Sequence, residues 1–224
     1  NINMQKGYTM PVVIIIAGIL IAGSVIWSVG SDNNPNSNHV RSQSDSEFRM
    51  PSESDHLRGD INAEITIIEY SDFNCVFCAR LHPTLSRVVE EYDGEVNWAY
   101  RHFANYPQGK VAATGSECVA RIGGNDIFWE FADKMFDNQK HLGDQFSIET
   151  AVSLGIDETE FKTCLDNSEE IEKEIATDRN EAISLGSRGT PYVVVVTPNG
   201  NLIPFNGALP YEQVVRVIEQ ARNN

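Results

Sequence analysis

Basic residues are the scarcer charged class in this chain: 17 lysines and arginines stand against 32 aspartates and glutamates, for a formal charge of −15. A nucleic-acid partner is disfavoured, because a phosphate backbone demands a basic surface. The acidic excess otherwise names no partner. Cysteine is rare as well, with four in 224 residues. Two of these, Cys118 and Cys164, stand 46 apart on separate helical stretches. They do not supply the second close pair that a zinc site built on Cys75 and Cys78 needs. No internal repeat is evident. The five histidines make no metal site by spacing; His82 and His102 can approach each other across a helix and a strand, but solvated or packed roles suit them better. No motif asks for a metal or an organic cofactor.

Charge is missing altogether from Pro11 to Gly30, a run of 20 residues. At about 1.5 Å rise per residue it spans roughly 30 Å, the hydrocarbon thickness of a bilayer. Apolar residues on every face argue against a buried core helix. A cleavable signal peptide has a shorter apolar stretch, about 7–15 residues, ending at a small-residue site. Ala22-Gly23-Ser24 is a weak site of that kind, and Val25-Ile26-Trp27 carry the run past it. The reading is one uncleaved transmembrane helix over 11–30. Lys6 ahead of it places residues 1–10 in the cytoplasm and the body on the extracytoplasmic side of the cell membrane. Residues 31–58, half of them Ser, Asn or Asp and without apolar period, read as a disordered tether. The folded domain is assigned to 59–224.

Within that domain, Ile65 to Tyr70 is rich in β-branched residues and too short for a helix, which predicts a buried strand. Leu81, Leu85, Val88, Val89 and Tyr92 recur at helical spacing up to Asp93-Gly94. Glu95 to Phe103 predicts a second strand, and strand–helix–strand of this length is a βαβ unit. A helical block follows over about 107–186. In it, Asp157 with Glu160 three residues on predicts a capped helix start, and Gly186 a C-terminal stop. Strands at Tyr192–Thr197 and Asn201–Phe205 flank a Pro198-Asn199-Gly200 turn. Pro204 sends the last strand to a sheet edge, and Val214, Val215, Ile218 and Ala221 mark a final amphipathic helix. The class is α/β.

Cys75-Val76-Phe77-Cys78 joins the first strand to the first helix, the setting in which a CxxC favours redox chemistry over metal binding. Unpaired N–H groups and the positive dipole end at a helix N-terminus stabilise a thiolate. Cys75 is therefore the sulfur expected to attack and be attacked, with a lowered pKa. Cys78, one turn in, lies on the same face behind it and can close or resolve a disulfide. Glu69 ends a strand that is apolar on both faces. If buried, its carboxyl has a raised pKa and can exchange a proton with Cys78. Thr190-Pro191 precedes a strand; a turn proline is the plain reading and a cis bond the sharper one.

An acid six residues before a CxxC, Pro83 five residues after its second cysteine, and Thr190-Pro191 before a late strand together resemble the thioredoxin fold. The helical insertion, with SDFNCVFCARLHP, FWEFADKMF, RGTP and GALPYEQ, is similar to the DsbA-like branch of extracytoplasmic thiol oxidoreductases, from about residue 59 to the end. The resemblance implies that Pro191 is cis and packs beside Cys75, that Thr190 offers backbone hydrogen bonds to a substrate chain, and that Glu69 is the family's buried acid. That branch often has proline after the first cysteine; here Val76 stands there. Cys118 and Cys164 have two readings, as small core residues or as a pair, since disulfides persist outside the cytoplasm. Similar proteins often carry a second bridge in the helical block, and a structural disulfide is the expectation.

The function expected is oxidation of thiols on exported proteins by a Cys75–Cys78 disulfide, with a membrane redox partner that reoxidises the site. Reduction or isomerisation by the same residues is the alternative within the class, although a dimerisation module has no evident place. From a different class, the CxxC is the ligand pair of a tethered metal- or client-binding module.

Overall fold

The runs read as strands pair into one mixed sheet, as a computed structural model of the chain shows for residues 48–224. The uncharged run at 11–30, the residues before it and the first part of the tether lie outside the described residues. Among those described, no helix is long and apolar enough to cross a membrane. The elements in order are β1 (His56–Arg58), β2 (Ile65–Ser71), α1 (Val76–Glu91), β3 (Val96–His102), α2 (Pro107–Gly123), α3 (Asn125–Asp137), a 3₁₀ turn (Gln139–His141), α4 (Asp144–Ser153), α5 (Glu158–Asp166), α6 (Glu169–Ser184), β4 (Tyr192–Val196), β5 (Leu202–Asn206) and α7 (Tyr211–Arg222).

The sheet order is β1-β3-β2-β4-β5. β2 and β3 run parallel, joined by the crossover helix α1, and the other pairs are antiparallel. β2, β3 and β4 are buried along their whole length, as expected for strands covered on both faces. On one face Ile65, Ile67, Trp98, Tyr100, Val193 and Val195 pack with α1, the helical block and α7. On the other Ile68, Tyr70, Ala99 and Val194 pack with Ala182 of α6. Side chains alternate along a strand, so Glu69 and Ser71 share the first face, under α1. β5 takes the sheet edge with Pro204 in it, where a missing N–H costs no ladder bond.

The tether assigned to 31–58 ends earlier than composition suggested. Residues 56–58 form β1 against β3, and the segment before it is tied down by charge. Arg101, 2% exposed, binds both carboxylate oxygens of Asp55 at 2.7 and 3.1 Å and the Arg49 carbonyl at 3.0 Å. It also reaches Glu181 Oε2 at 3.1 Å, and Arg49 bridges Glu181 and Asp178. These partners lie 46 to 132 residues away in sequence, so a polar window gave no sign of them. The polarity of 48–58 serves pairing rather than solvation.

The helical block spans α2 to α6. Asp157 caps α5, its carboxylate accepting the Thr159 and Glu160 N–H groups at 2.9 Å. Gly186, at φ +92°, ends α6 with Ser187 N–H returned to the Ala182 carbonyl, the left-handed stop that favours glycine. Cys118 of α2 and Cys164 of α5 form a disulfide across a separation of 46 residues. Closing a loop of that length contributes about 4 kcal/mol in the chain-entropy model. Replacing both by alanine is expected to lower the thermal midpoint by roughly 10 °C at a few degrees per kcal/mol, read by calorimetry, while leaving the chemistry at Cys75 intact.

Candidate active site

Cys75 is the N-cap of α1, held there by the loop between β2 and the helix. Its N–H donates to the Asp72 carbonyl at 2.9 Å. The Asp72 carboxylate, 1% exposed, accepts Asn74 N–H at 2.8 Å on one oxygen, and Asn105 and Tyr106 N–H at 2.6 and 3.2 Å on the other. A single buried acid thus ties the active-site loop to the start of α2. From the far side, the Gln139 side-chain amide donates to the Phe73 and Cys75 carbonyls at 2.7 and 3.0 Å. A Cβ at Gly109 would stand 1.9 Å from Asp72 Oδ1, and three N–H bonds hold that carboxylate in place. Gly109→Ala is therefore expected to cost about 1–3 kcal/mol, the usual range for overpacking, and to loosen the Cys75 loop. Thermal denaturation together with a thiolate titration checks both effects.

The two cysteines are unbonded to each other and sit in opposed environments. Cys75 is 7% exposed beside Val76 and Phe77, which are 60% and 51% exposed. The Cys78 thiol donates to it, and this hydrogen bond is the largest influence on Cys75. The Thr190 contact and the N–H groups of Cys78 and Phe77 add to it and outweigh burial. Together they pull the Cys75 thiol down to about 5. Cys78 is fully buried, and burial first, then the Cys75 and Glu69 charges, pushes its thiol far up. The electronics of the pair follow from position: one sulfur at the mouth of a helix, the other a turn inside it.

Opposite Cys75 stands the loop before β4. The Thr190–Pro191 bond is cis, and Cys75 Sγ lies 3.4 Å from the Thr190 carbonyl. Behind Cys78, Glu69 is wholly buried and burial raises its carboxyl to about 8. Ser71 Oγ–H donates to Glu69 Oε1 at 2.8 Å, whereas Oε2 has no hydrogen-bond partner. The Trp98 indole still favours the charged carboxylate from a position short of a full bond. The structure thus gathers Cys75, Cys78, Glu69, Thr190 and Pro191 into one site. It adds Ser71, Asp72, Trp98 and Gln139, which the sequence reading did not single out. Asp72 alone left a signal, an acid at the strand end where an Asx turn can form; Gln139 reaches the loop from 64 residues away.

His82 and His102 do not meet. His82 pairs with Asp133 at 2.6 Å and His102 with Glu117 at 2.8 Å. His56, placed in the tether by composition, also binds Glu117 Oε1, at 2.7 Å. His56, His102 and Glu117 bring one potential metal-ligand atom each within 4.8 Å of one another. Burial raises the Glu117 carboxyl, but hydrogen bonds and charge from the two rings outweigh it and hold it well below the usual range, so the carboxylate is already held by two ring nitrogens.

A family model described as thioredoxin matches residues 51–220. The Na(+)/H(+) antiporter NhaA of Herminiimonas arsenicoxydans is 32% identical over 139 residues, 62% of this chain and 22% of the antiporter. The chain spans only about a quarter of the length of the first antiporters it matches. The probable disulfide bond formation protein D of Bacillus anthracis is 27% identical over 214 residues, 89% of this chain and 91% of that protein. Among solved structures, DsbA2 of Pseudomonas aeruginosa superposes with a TM-score of 0.66 at 26% identity, over 79% of this chain and 98% of that one. With the family match running from the ordered start of the domain into its last helix, the chain belongs to the thioredoxin family and is similar in structure to DsbA proteins.

Proposed function

We propose that the protein is an extracytoplasmic thiol:disulfide oxidoreductase that donates a Cys75–Cys78 disulfide to thiols of exported proteins. The observation that carries this reading is the opposed acidity of the pair, with Cys75 pulled down to about 5 and Cys78 pushed up. A low-pKa thiol is a good leaving group, and stabilising the reduced form makes a disulfide a stronger oxidant. A substrate thiolate attacks Cys75 Sγ, the Cys75–Cys78 bond breaks, and a mixed disulfide forms while Cys78 takes a proton. A second substrate thiolate attacks the substrate sulfur of that bond and releases Cys75 as a thiolate. The substrate dithiol loses two electrons and the CxxC gains them; a membrane redox partner then removes them. Thr190 and Pro191 form the wall along which a substrate strand lies.

The location rests on the uncharged run at 11–30 as a single-pass anchor, and on the Cys118–Cys164 disulfide, of a kind that persists in oxidising compartments. Equilibrating the protein in glutathione buffers and counting free thiols by alkylation gives the reduction potential. A value well above the glutathione couple, toward about −120 mV, is expected; one near about −270 mV makes the protein a reductase and overturns the proposal. Stoichiometric zinc or copper held by Cys75 and Cys78 after purification would overturn it in favour of a ligand pair.

A further inference from the structure

One hydroxyl on the buried face of β2 has no part in the exchange steps above. Ser71 is fully buried, and its 2.8 Å bond to Glu69 Oε1 joins two side chains on the same face of the strand. The same hydroxyl lies close enough to the Cys78 sulfur and the Tyr100 phenol to favour the charged form of each, although the phenol itself has no hydrogen-bond partner. Glu69, by contrast, acts on Cys78 through charge, with no shared hydrogen bond. The ionisable groups facing Glu69 are Cys75 and Cys78 from α1 and Tyr100 from β3, with the Trp98 indole beside them. β4 sets Val193 opposite it, and the buried face of α7 is Val214, Ile218 and Ala221, none of which titrates.

On the oxidoreductase reading, we propose that Ser71 is the proton bridge between Glu69 and Cys78. When a substrate thiolate bonds to Cys75, the electron pair of the broken bond leaves on the Cys78 sulfur, inside the core and away from water. Ser71 gives its hydroxyl proton to that sulfur and takes the carboxyl proton of Glu69. One proton moves from Glu69 to Cys78, and the negative charge ends on the carboxylate, where the Ser71 and Trp98 donors favour it. Reforming the disulfide runs the transfer backwards. A hydroxyl both donates and accepts, so the one 2.8 Å contact serves either direction. Ser71 is therefore a catalytic residue of the exchange: it passes a proton to the reacting Cys78 sulfur, draws it from Glu69, and bonds to no substrate.

The test is single-turnover reduction by glutathione of the oxidised full-length chain in mild detergent, followed by tryptophan fluorescence between pH 5 and 9. Rates are divided by the glutathione thiolate fraction. In the wild type, the corrected rate falls as pH rises and Glu69 loses its proton. Ser71→Ala is expected to lower the corrected rate at pH 7 by about 100-fold, the lower range of general acid–base catalysis, and to erase the fall with pH. Glu69→Gln does the same, and adding Ser71→Ala to it changes nothing further. Ser71→Gly removes the same hydroxyl and serves where the alanine variant does not fold. Wild-type rates and pH dependence in the Ser71 variants overturn the bridge, as do losses that multiply in the double variant. A wild-type chain inert toward glutathione sinks the oxidoreductase reading and the bridge together, and is thereby distinguished from failure of the bridge alone.

Discussion

Replacing Cys75 by serine is expected to abolish exchange, with a loss on the order of a thousandfold or more, as for removal of a covalent nucleophile. Replacing Cys78 is expected to do something different. Cys78→Ser keeps the attacking sulfur but lacks the resolving one, so mixed disulfides formed at Cys75 accumulate and appear on non-reducing gels after alkylation. The electrostatics differ too. In the wild type, thiolate absorbance at 240 nm is expected to rise with a midpoint near 5. The largest contribution to that depression is the hydrogen bond from Cys78, so Cys78→Ala moves the midpoint up toward the ordinary thiol range of about 8.5. A midpoint that stays near 5 in Cys78→Ala would assign the thiolate to the helix N-terminus and Thr190 alone. Mixed disulfides that persist when Cys75→Ser is added to Cys78→Ser would remove Cys75 as the exchanging sulfur.

The strand–CxxC–helix junction was legible because its information is local. β-branched residues, two cysteines at fixed spacing and a 3.6-residue apolar period fall within about thirty residues, and β2 and α1 lie where they predict. The edge position of β5 was legible for the same reason, since Pro204 cannot serve a central strand. Pro191 and Glu69 stood out by motif. What escaped depends on distant partners. Arg49, Asp55 and His56 look like tether residues until Arg101, Glu181 and Glu117 are folded against them. Gln139 is an ordinary polar residue after a helix until its amide meets the Cys75 loop. Ser71 looks like the polar end of a strand; only the parallel register that places it beside His102 and Glu69 beside Tyr100 buries it under Cys78. Polar residues whose work is long-range pairing carry no period and little spacing, which is why the anchors of the domain were missed and its cysteines were not.

Glu69→Gln is expected to make the reduced protein more stable at pH 7.5 while slowing exchange by about 100-fold, the lower range of acid–base effects. The carboxyl is fully buried, and burial is the first cause of its rise from 4.5 to about 8. Between those two pH values the unfolded chain has released the proton and the folded one retains it, so stability falls as pH rises. At pH 7.5 the deficit is about 3–4 kcal/mol at 1.36 kcal/mol per pKa unit; at pH 4.5 it is nearly gone. Glutamine removes this term but brings an amide whose donors lack partners, at about 1–3 kcal/mol. A net gain of about 1–2 kcal/mol remains, a rise of roughly 3–8 °C in midpoint for a domain of this size, and it should turn into a loss by pH 4.5, where only the cost of the unpartnered amide is left. Cys75 works in the opposite sense: its thiol is depressed to about 5, so its contribution grows as pH rises from there toward the unfolded thiol value and is lost as pH falls through 5. The two slopes oppose each other between pH 5 and 8, and Glu69→Gln uncovers the Cys75 slope. The Cys75 thiolate is itself one cause of the raised Glu69 value, so the gain should be smaller in the oxidised protein, where that charge is absent. The substitution therefore stabilises the reduced form more than the oxidised one and raises the reduction potential at pH 7.5. Equal gains in both redox states would mean that Glu69 and Cys75 do not share a field, and that the acid behind the disulfide leaves its potential unchanged.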